Sequence, residues 1–174
     1  IVGQIAKNMG CKVIGIVGSE KKKSYIIDDL GFDHGINYKT SNLSEELQLT
    51  CQEGIDVYFD NVGGEITDCV LEQINVGARI SVCGQISQYN LPEPEFTKRN
   101  MWILIRKQAV MQGFLVFQFA NRHEEARKRI ASWIDEGIIK YREDLVNSLE
   151  NAPKAFIGMF HGENFGKLLV KVSK

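Results

Sequence analysis

Residues 12–30 read KVIGIVGSEKKKSYIIDDL, and this stretch decides the fold class. It begins with a short run rich in β-branched residues, turns at Gly18-Ser19, and continues with helical spacing through Leu30. The same order returns in IDVYFDNVGG at 55–64, where a strand pattern ends in Gly63-Gly64 before the next helix. Strands that alternate with helices in this way form a parallel sheet covered on both faces. The sequence therefore predicts an α/β protein.

The rest of the chain follows the same alternation. The predicted strands are dense in β-branched and aromatic residues, and the predicted helices have apolar residues three or four positions apart. The stretch Leu91–Lys98 contains two prolines and is the most loop-like part of the chain. The predicted strands are Lys12–Val17, Ile36–Tyr38, Ile55–Phe59, Ala78–Cys83, Val110–Phe119 and Gly166–Val172, and the predicted helices are Ile1–Met9, 20–30, 43–51, 65–74, 123–137 and one from about Asn151 to Gly162.

Composition places the chain among ordinary globular proteins. It has 174 residues, of which 44% are hydrophobic and 25% charged, with a formal net charge of -1. Lysine and arginine are scattered among acidic residues, which argues against a general nucleic-acid binder. No apolar run reaches the ~18–20 residues that a membrane span needs, and no signal peptide is visible. We therefore expect a cytoplasmic domain without a nucleic-acid or membrane partner.

The four cysteines do not predict a metal site. Cys11, Cys51, Cys69 and Cys83 form no CxxC motif and have no histidine close in sequence, whereas metal ligands usually come in short paired spacings. Cys83 falls in a predicted strand and Cys69 on the apolar side of a predicted helix. We expect both to be reduced thiols of the core, where cysteine behaves as a small hydrophobe.

Three predicted strands end in small or polar residues. Gly18-Ser19, Asn61–Gly64 and Gly84–Ser87 each follow a strand, and ligands of open parallel sheets bind beyond such carboxyl ends. Glycine lets the backbone approach a ligand closely, and asparagine and serine supply hydrogen bonds. Ordinary turn chemistry explains each pattern as well. Taken together, the three ends favour a nucleotide-type site.

In dinucleotide-binding folds, the residues after the second strand distinguish the two pyridine coenzymes. Lys12–Val17 is taken as that strand here, because a helix pattern with no strand before it comes first in this chain. An acidic residue there binds the ribose 2′-hydroxyl of NAD, whereas serine and lysine can bind the 2′-phosphate of NADP. Here Ser19 is followed by Glu20 and then by Lys21–Lys23. The lysines favour NADP(H), and Glu20 counts against it. Alternatively, the lysines form a solvated cationic face, although the helix dipole disfavours cations in a first turn.

Several motifs together resemble one enzyme family. IDVYFDNVGG, ISVCGQISQYN and GENFGK, with VGQIAK, GCKVIGIVGS and QGFLVF, are similar to the zinc-independent medium-chain reductases of the prostaglandin reductase, leukotriene hydroxydehydrogenase and curcumin reductase group. The resemblance covers almost the whole chain. It implies an NADPH-dependent oxidoreductase that reduces the carbon–carbon double bond of α,β-unsaturated ketones or aldehydes.

The resemblance also implies a Rossmann-type, doubly wound, mostly parallel sheet. In that fold a strand and a glycine-rich turn come before the first helix, and we expect them to precede Ile1 in the complete enzyme. We expect residues 1–137 to form the NADP-binding domain and residues 138–174 to return toward a substrate-side domain. Because the glycine-rich turn binds pyrophosphate, we expect this polypeptide by itself to be inactive.

The family's contacts can be transferred to this chain motif by motif. Lys22 and Tyr38 would bind the adenosine 2′-phosphate, with Ser19 as a helper. Tyr89 would place a hydroxyl on the substrate side and is the candidate catalytic residue, although an aromatic plug in its loop is an equal alternative. The implied cofactor contacts are Ser19, Lys22, Tyr38, Asn61, Cys83, Gly84, Gln85, Ile86, Ser87, Gln88, Tyr89, Phe114, Leu115, Val116 and Asn164.

Two further expectations concern assembly and rival functions. The uncharged strand Val110–Phe119 would aggregate if it were an exposed edge, and related reductases pair this edge across a two-fold axis, so we expect a homodimer. A quinone oxidoreductase of the same superfamily would share fold and cofactor. A non-catalytic NADP-binding module would bind the coenzyme without turnover.

Overall fold

The computed structural model describes residues 1–93 and 99–172. Most of the predicted loop Leu91–Lys98 therefore lies outside the described residues. Short 3-10 segments occur at Val116–Arg122 and Leu149–Asn151. The helices are α1 (Val2–Asn8), α2 (Glu20–Ser24), α3 (Leu43–Thr50), α4 (Gly64–Glu72), α5 (Trp102–Arg106), α6 (His123–Asp135) and α7 (Ala152–Phe160), and the strands are β1 (Ile14–Val17), β2 (His34–Asn37), β3 (Ile55–Asp60), β4 (Ile74–Val82), β5 (Val110–Gly113), β6 (Glu143–Asn147) and β7 (Lys167–Lys171).

The described strands pair in parallel. β1 pairs with β2, β4 lies between β3 and β5, and β6 pairs with β7. These pairings confirm the predicted α/β class. The chain divides into two compact units, the first made of Ile1–Lys39 and Lys128–Lys174 and the second of Thr40–Arg127. The boundary expected after residue 137 stays a prediction.

In the first unit, polar side chains join segments that are distant in sequence. The buried amide of Gln4 bonds both main-chain groups of Lys140, at 2.9 Å and 2.7 Å. Asp33 accepts the Val13 N–H at 2.6 Å and the Lys7 ammonium at 2.9 Å. The Val13 bond, followed by the Lys7 bond, lowers the pKa of the Asp33 carboxyl. These contacts fix α1 and the start of β1.

Two elements of the first unit differ from the sequence prediction. The helix expected over 20–30 ends at Ser24 and continues as a single π-helical segment, Tyr25–Asp29. Strand β6 was not predicted, because only its alternate residues Asp144 and Val146 are partly buried and its charged residues hide the pattern. Its partner β7 supplies the parallel ladder that makes it a strand.

The second unit is built around a buried cluster on β4. Leu71, Ile74, Ala78, Ile80 and Ile103 form this core, which is packed between α4, α5 and the sheet. Ile74 was expected on a helix but begins β4. It pairs with Ile55, whose N–H donates to the Gln73 carbonyl, so the strand ladder replaces the last helical turn.

The strand expected over Val110–Phe119 is too long. β5 ends at Gly113, which is paired with Val82, the last residue of β4. Beyond that point no further β4 residue offers a ladder partner. The Leu115 N–H bonds the Gln118 side chain at 3.0 Å instead, which begins the 3-10 segment. An aromatic, β-branched composition was therefore overridden by the length of the neighbouring strand.

Candidate functional site

The strands of the second unit end together at a cleft. Asp60 pairs with Val82, and Val82 pairs with Gly113, so the carboxyl ends of β3, β4 and β5 lie side by side. The cleft at this edge has a volume of about 450 Å³. It is lined by Val82, Cys83, Gly84, Gln85, Tyr89, Gly113, Phe114, Leu115 and Gln118.

The cleft brings together six of the cofactor contacts that the sequence resemblance implied. Cys83, Gly84, Gln85, Tyr89, Phe114 and Leu115 were named from the sequence and line the cleft. Asn61, Ile86, Ser87, Gln88 and Val116 were also named but are not among its lining residues. Sequence reasoning missed Gly113 and Gln118. The available signal was the amide of Gln118, which is the one polar side chain among residues 114–120.

Cys83 is exposed rather than part of the core. The prediction was wrong because β4 ends at Val82, and Cys83 follows the last paired position. Cys69 is only partly buried on α4, and burial, more than the nearby acidic residues, raises the pKa of its thiol. The thiol at the rim of the cleft is therefore that of Cys83.

Tyr89 folds back over its own loop. Its hydroxyl accepts the Gln85 N–H at 3.1 Å, while the residue stays 62% exposed. A Cβ on Gly84 would lie 3.1 Å from the Tyr89 Oη, so glycine leaves the ring room to lie against the loop. Because the hydroxyl oxygen already accepts a bond, its proton is oriented away from Gln85 and can be donated.

Two loops at the strand ends are joined by main-chain bonds. The carbonyl of Asn61 accepts the Ile86 N–H at 3.2 Å. The carbonyl of Val62 accepts the N–H of Ser87 at 3.1 Å and its Oγ at 2.6 Å. The Ser87 side chain therefore braces the loop rather than facing the cleft. Asn61 itself is exposed, so its side-chain amide can reach a ligand.

The first unit contains the residues predicted for the 2′-phosphate. Ser19 is the N-cap of α2, where its Oγ accepts the Lys22 N–H at 3.2 Å. The Lys22 Nζ donates to the Gly162 carbonyl at 2.9 Å. Asn164 donates its amide to the Gly166 carbonyl at 2.9 Å, which stabilises the turn that Lys22 contacts.

The phenol of Tyr38 lies at the end of β1. A Cβ added to Gly18 would lie 3.2 Å from the Tyr38 Oη and 3.3 Å from the Lys39 Cε. Both side chains therefore lie against bare backbone beside Ser19. Lys39 was not named from the sequence, although a cation next to Tyr38 in INYK was visible there.

Glu20, which counted against a 2′-phosphate, is bound by a neighbour. The buried Asn37 donates its Nδ2 to the Glu20 Oε1 at 2.6 Å and accepts the Lys39 N–H at 3.2 Å. Because an amide donor satisfies part of the carboxylate, Glu20 is held beside β2. The hydrogen bond fixes the position of the carboxylate but does not remove its negative charge.

Phe165 orders the turn from Gly162 to Gly166. The Arg142 guanidinium lies 4.2 Å from the Phe165 ring centroid, and the Lys21 Nζ lies 5.4 Å from it. Asp144 accepts the N–H groups of Phe165 and Gly166. The Gly166 bond, followed by the Phe165 bond, lowers the pKa of the Asp144 carboxyl.

Within residues 1–93 and 99–172, no three histidine, cysteine or acidic side chains converge as a metal site would require. In the same ranges no helix has the length and apolar character needed to cross a bilayer.

Comparison with known proteins assigns the chain to a family. The model of the family described as zinc-binding dehydrogenase matches residues 1–134. The chain belongs to this family. The sequence resemblance implied that this chain belongs to the zinc-independent members, and that stays a prediction.

Similar proteins have been described from bacteria and plants. The chain is 46% identical over 175 residues to the putative NADP-dependent oxidoreductase YfmJ of Bacillus subtilis, and 42% identical to the NADP(+)-dependent 2-alkenal reductase of Nicotiana tabacum. It covers 52% and 51% of those proteins, and they cover 99% and 100% of the chain. The chain thus spans about half the length of these relatives.

A solved structure gives the same picture of the fold. CurA from Vibrio vulnificus in complex with NADPH is 47% identical to the chain, with a TM-score of 0.94. The match covers 99% of this chain and 53% of CurA. The fold is of the Rossmann type, as the sequence predicted.

Proposed function

We propose that the full-length protein is an NADPH-dependent reductase of carbon–carbon double bonds conjugated to a ketone or aldehyde. The observation that carries the proposal is the cleft of the second unit, where three parallel strands end at small or polar residues beside a tyrosine hydroxyl. This is the position at which open parallel sheets bind dinucleotides. The 2-alkenal reductase and the NADPH complex among the similar proteins support the same reaction and coenzyme.

The residues of the cleft suit the nicotinamide half of the coenzyme. Gly84 and Gly113 present backbone at the rim, and Phe114 offers an apolar ring face beside them. The Asn61 amide is free to reach polar groups of the ribose or carboxamide. When bound, the reduced coenzyme supplies the hydride for the alkene carbon β to the carbonyl.

The residues of the first unit suit the adenosine 2′-phosphate. Lys22 uses one ammonium donor on Gly162 and keeps two for a phosphate. The Tyr38 hydroxyl and Ser19 lie near the same strand end, and Asn164 holds the turn that positions Lys22. A doubly charged phosphate gains charge-assisted bonds from such a set.

Tyr89 is proposed to stabilise the charge that develops during reduction. Hydride addition at the β-carbon moves negative charge onto the carbonyl oxygen, and a hydroxyl placed there stabilises the resulting enolate. The Tyr89 oxygen accepts the Gln85 N–H, which leaves its own O–H proton available for donation to the substrate oxygen. Protonation at the α-carbon then yields the saturated product.

The test is steady-state kinetics of the full-length protein. NADPH and NADH are each titrated against a short 2-alkenal, an enone, a p-quinone and a saturated aldehyde. The proposal requires turnover of the conjugated alkenes, a lower KM for NADPH than for NADH, and no turnover of the saturated aldehyde. Turnover of the quinone alone would instead identify a quinone oxidoreductase, and coenzyme binding without any turnover a non-catalytic module.

Assembly and location are proposed on the same basis. We propose a homodimer through the segment at Val110–Phe119, because β5 pairs only with β4 among the described strands and Leu115, Val116 and Phe117 are exposed. Light scattering of the full-length protein should give twice the monomer mass at micromolar concentration, and a monomer would refute the pairing. A cytoplasmic location is proposed as well.

A further inference from the structure

Asp60 is a buried acid at the end of β3 whose carboxylate is fully engaged. It is 1% exposed. Its Oδ1 accepts the N–H groups of Val62 and Gly63, each at 2.9 Å, and the Tyr58 hydroxyl at 3.1 Å. Its Oδ2 accepts the Thr67 hydroxyl at 2.6 Å. Burying a carboxylate is costly unless donors surround it, and here two main-chain N–H groups and two hydroxyls do so.

The main-chain carbonyl of the same residue holds the neighbouring loop. It accepts the Cys83 N–H at 2.8 Å and the Gly84 N–H at 3.2 Å. Asp60 therefore fixes both loops at this edge of the sheet, the turn from Asn61 to Gly63 through its side chain and the start of the 83–89 loop through its backbone.

Asp60 is behind the cleft rather than in it. It is not among the residues that line the 450 Å³ space, whereas the loop after β4, which the Asp60 carbonyl holds, provides Cys83, Gly84 and Gln85 to the lining. Burial, and secondarily the Asp60 charge, raises the pKa of Tyr58, so this phenol remains a donor at neutral pH.

We propose that Asp60, with Thr67 as its buried partner, is a positioning residue that sets the geometry of the two loops for the nicotinamide half of the coenzyme. This inference rests on the proposed function and adds a residue outside the contact set. Its consequence is selective: loss of the network weakens what the second unit binds and leaves the adenosine half of the coenzyme unaffected.

The test compares two ligands on the full-length protein. NADPH carries both a nicotinamide and a 2′-phosphate, whereas adenosine 2′,5′-bisphosphate has the 2′-phosphate but no nicotinamide. Asp60→Asn keeps the shape of the side chain and places an amide donor where a carboxylate oxygen faces Thr67. We expect the Kd for NADPH to rise about tenfold or more and kcat to fall, with the Kd for the bisphosphate within twofold of wild type.

Threonine variants keep the test sharp if Asp60→Asn folds poorly. Thr67→Val removes the hydroxyl that donates to Asp60 and should reproduce the selective loss for NADPH, whereas Thr67→Ser should restore it. Thr50→Val is the matched control, because it makes the same change in the same unit at a hydroxyl that bonds the Glu46 carbonyl within α3. It should leave both Kd values unchanged.

The outcomes separate this inference from the proposed function. An equal rise in the Kd for both ligands in Asp60→Asn and Thr67→Val would mean a general structural role and would overturn the inference. Unchanged Kd values for both ligands would overturn it as well. Wild-type protein that binds neither ligand would overturn the proposed function itself, before any variant is compared.

Discussion

Replacing Lys22 by glutamine should remove most of the preference for NADPH. The ammonium donates to the Gly162 carbonyl at 2.9 Å, which leaves two donors for a 2′-phosphate on a side chain already held in place. A hydrogen bond to a charged group contributes about 1.5–3 kcal/mol, and partial exposure of Lys22 puts the expected value in the lower part of that range. A loss of about 1.5–2 kcal/mol corresponds to a roughly 10- to 30-fold rise in KM for NADPH.

The assay titrates NADPH and NADH at a saturating concentration of one conjugated aldehyde. In Lys22→Gln, kcat with NADPH and KM for NADH should stay within about twofold of wild type, because neither depends on the 2′-phosphate. Lys23→Gln is the matched control on the same helix, since the Lys23 stem packs beside Gly35 on β2. That control should change neither KM more than twofold. Raising the salt concentration should shrink the Lys22 effect, because the contact is screened.

An unchanged ratio of the two KM values in Lys22→Gln would refute the reasoning. So would an equal rise for NADPH and NADH, since that result means that the lysine supports the fold of the turn and does not recognise the extra phosphate.

Three further outcomes are expected. Tyr89→Phe should lower kcat for a conjugated aldehyde about 10- to 100-fold with little change in the Kd for NADPH, and an unaltered kcat would remove Tyr89 from the mechanism. Gly166→Ala should lower the free energy of unfolding in urea by about 1–3 kcal/mol, because a Cβ there would overlap the Arg142 carbonyl oxygen. Gly113→Ala is the control and should be tolerated, because its Cβ would meet no atom nearer than 4.0 Å. The pKa of Asp144 is lowered in the folded state, so its contribution to stability is complete above the unfolded-state pKa of about 3.9 and is lost as the pH falls through the folded-state pKa. The free energy of unfolding of Asp144→Asn should therefore change less than that of wild type between pH 6 and pH 3.

The order of the elements could be predicted from the sequence because it depends on local pattern. Ile14–Val17 and Ile55–Asp60 are strands where the β-branched runs indicated them, and α6 begins at His123 as expected. The failures occurred where a neighbour decided the outcome. Ile74 joined a strand because Ile55 pairs with it, and the run after Gly113 left the sheet because β4 had ended.

The sequence by itself determined the fold class and the chemical character of the candidate site. Glycines at the strand ends, lysines after Ser19 and the motifs around Asn61 and Tyr89 are local features, and their chemistry does not depend on what surrounds them. Family membership followed from the same motifs.

Only the tertiary structure decided which of these groups are available to a ligand. It showed that the Glu20 carboxylate is bound by Asn37, that Cys83 is exposed at a cleft, and that Asp60 joins two loops. The physical reason is that availability depends on hydrogen bonds and burial between residues far apart in the chain. Those contacts exist only after the strands have paired, and no local spacing encodes them.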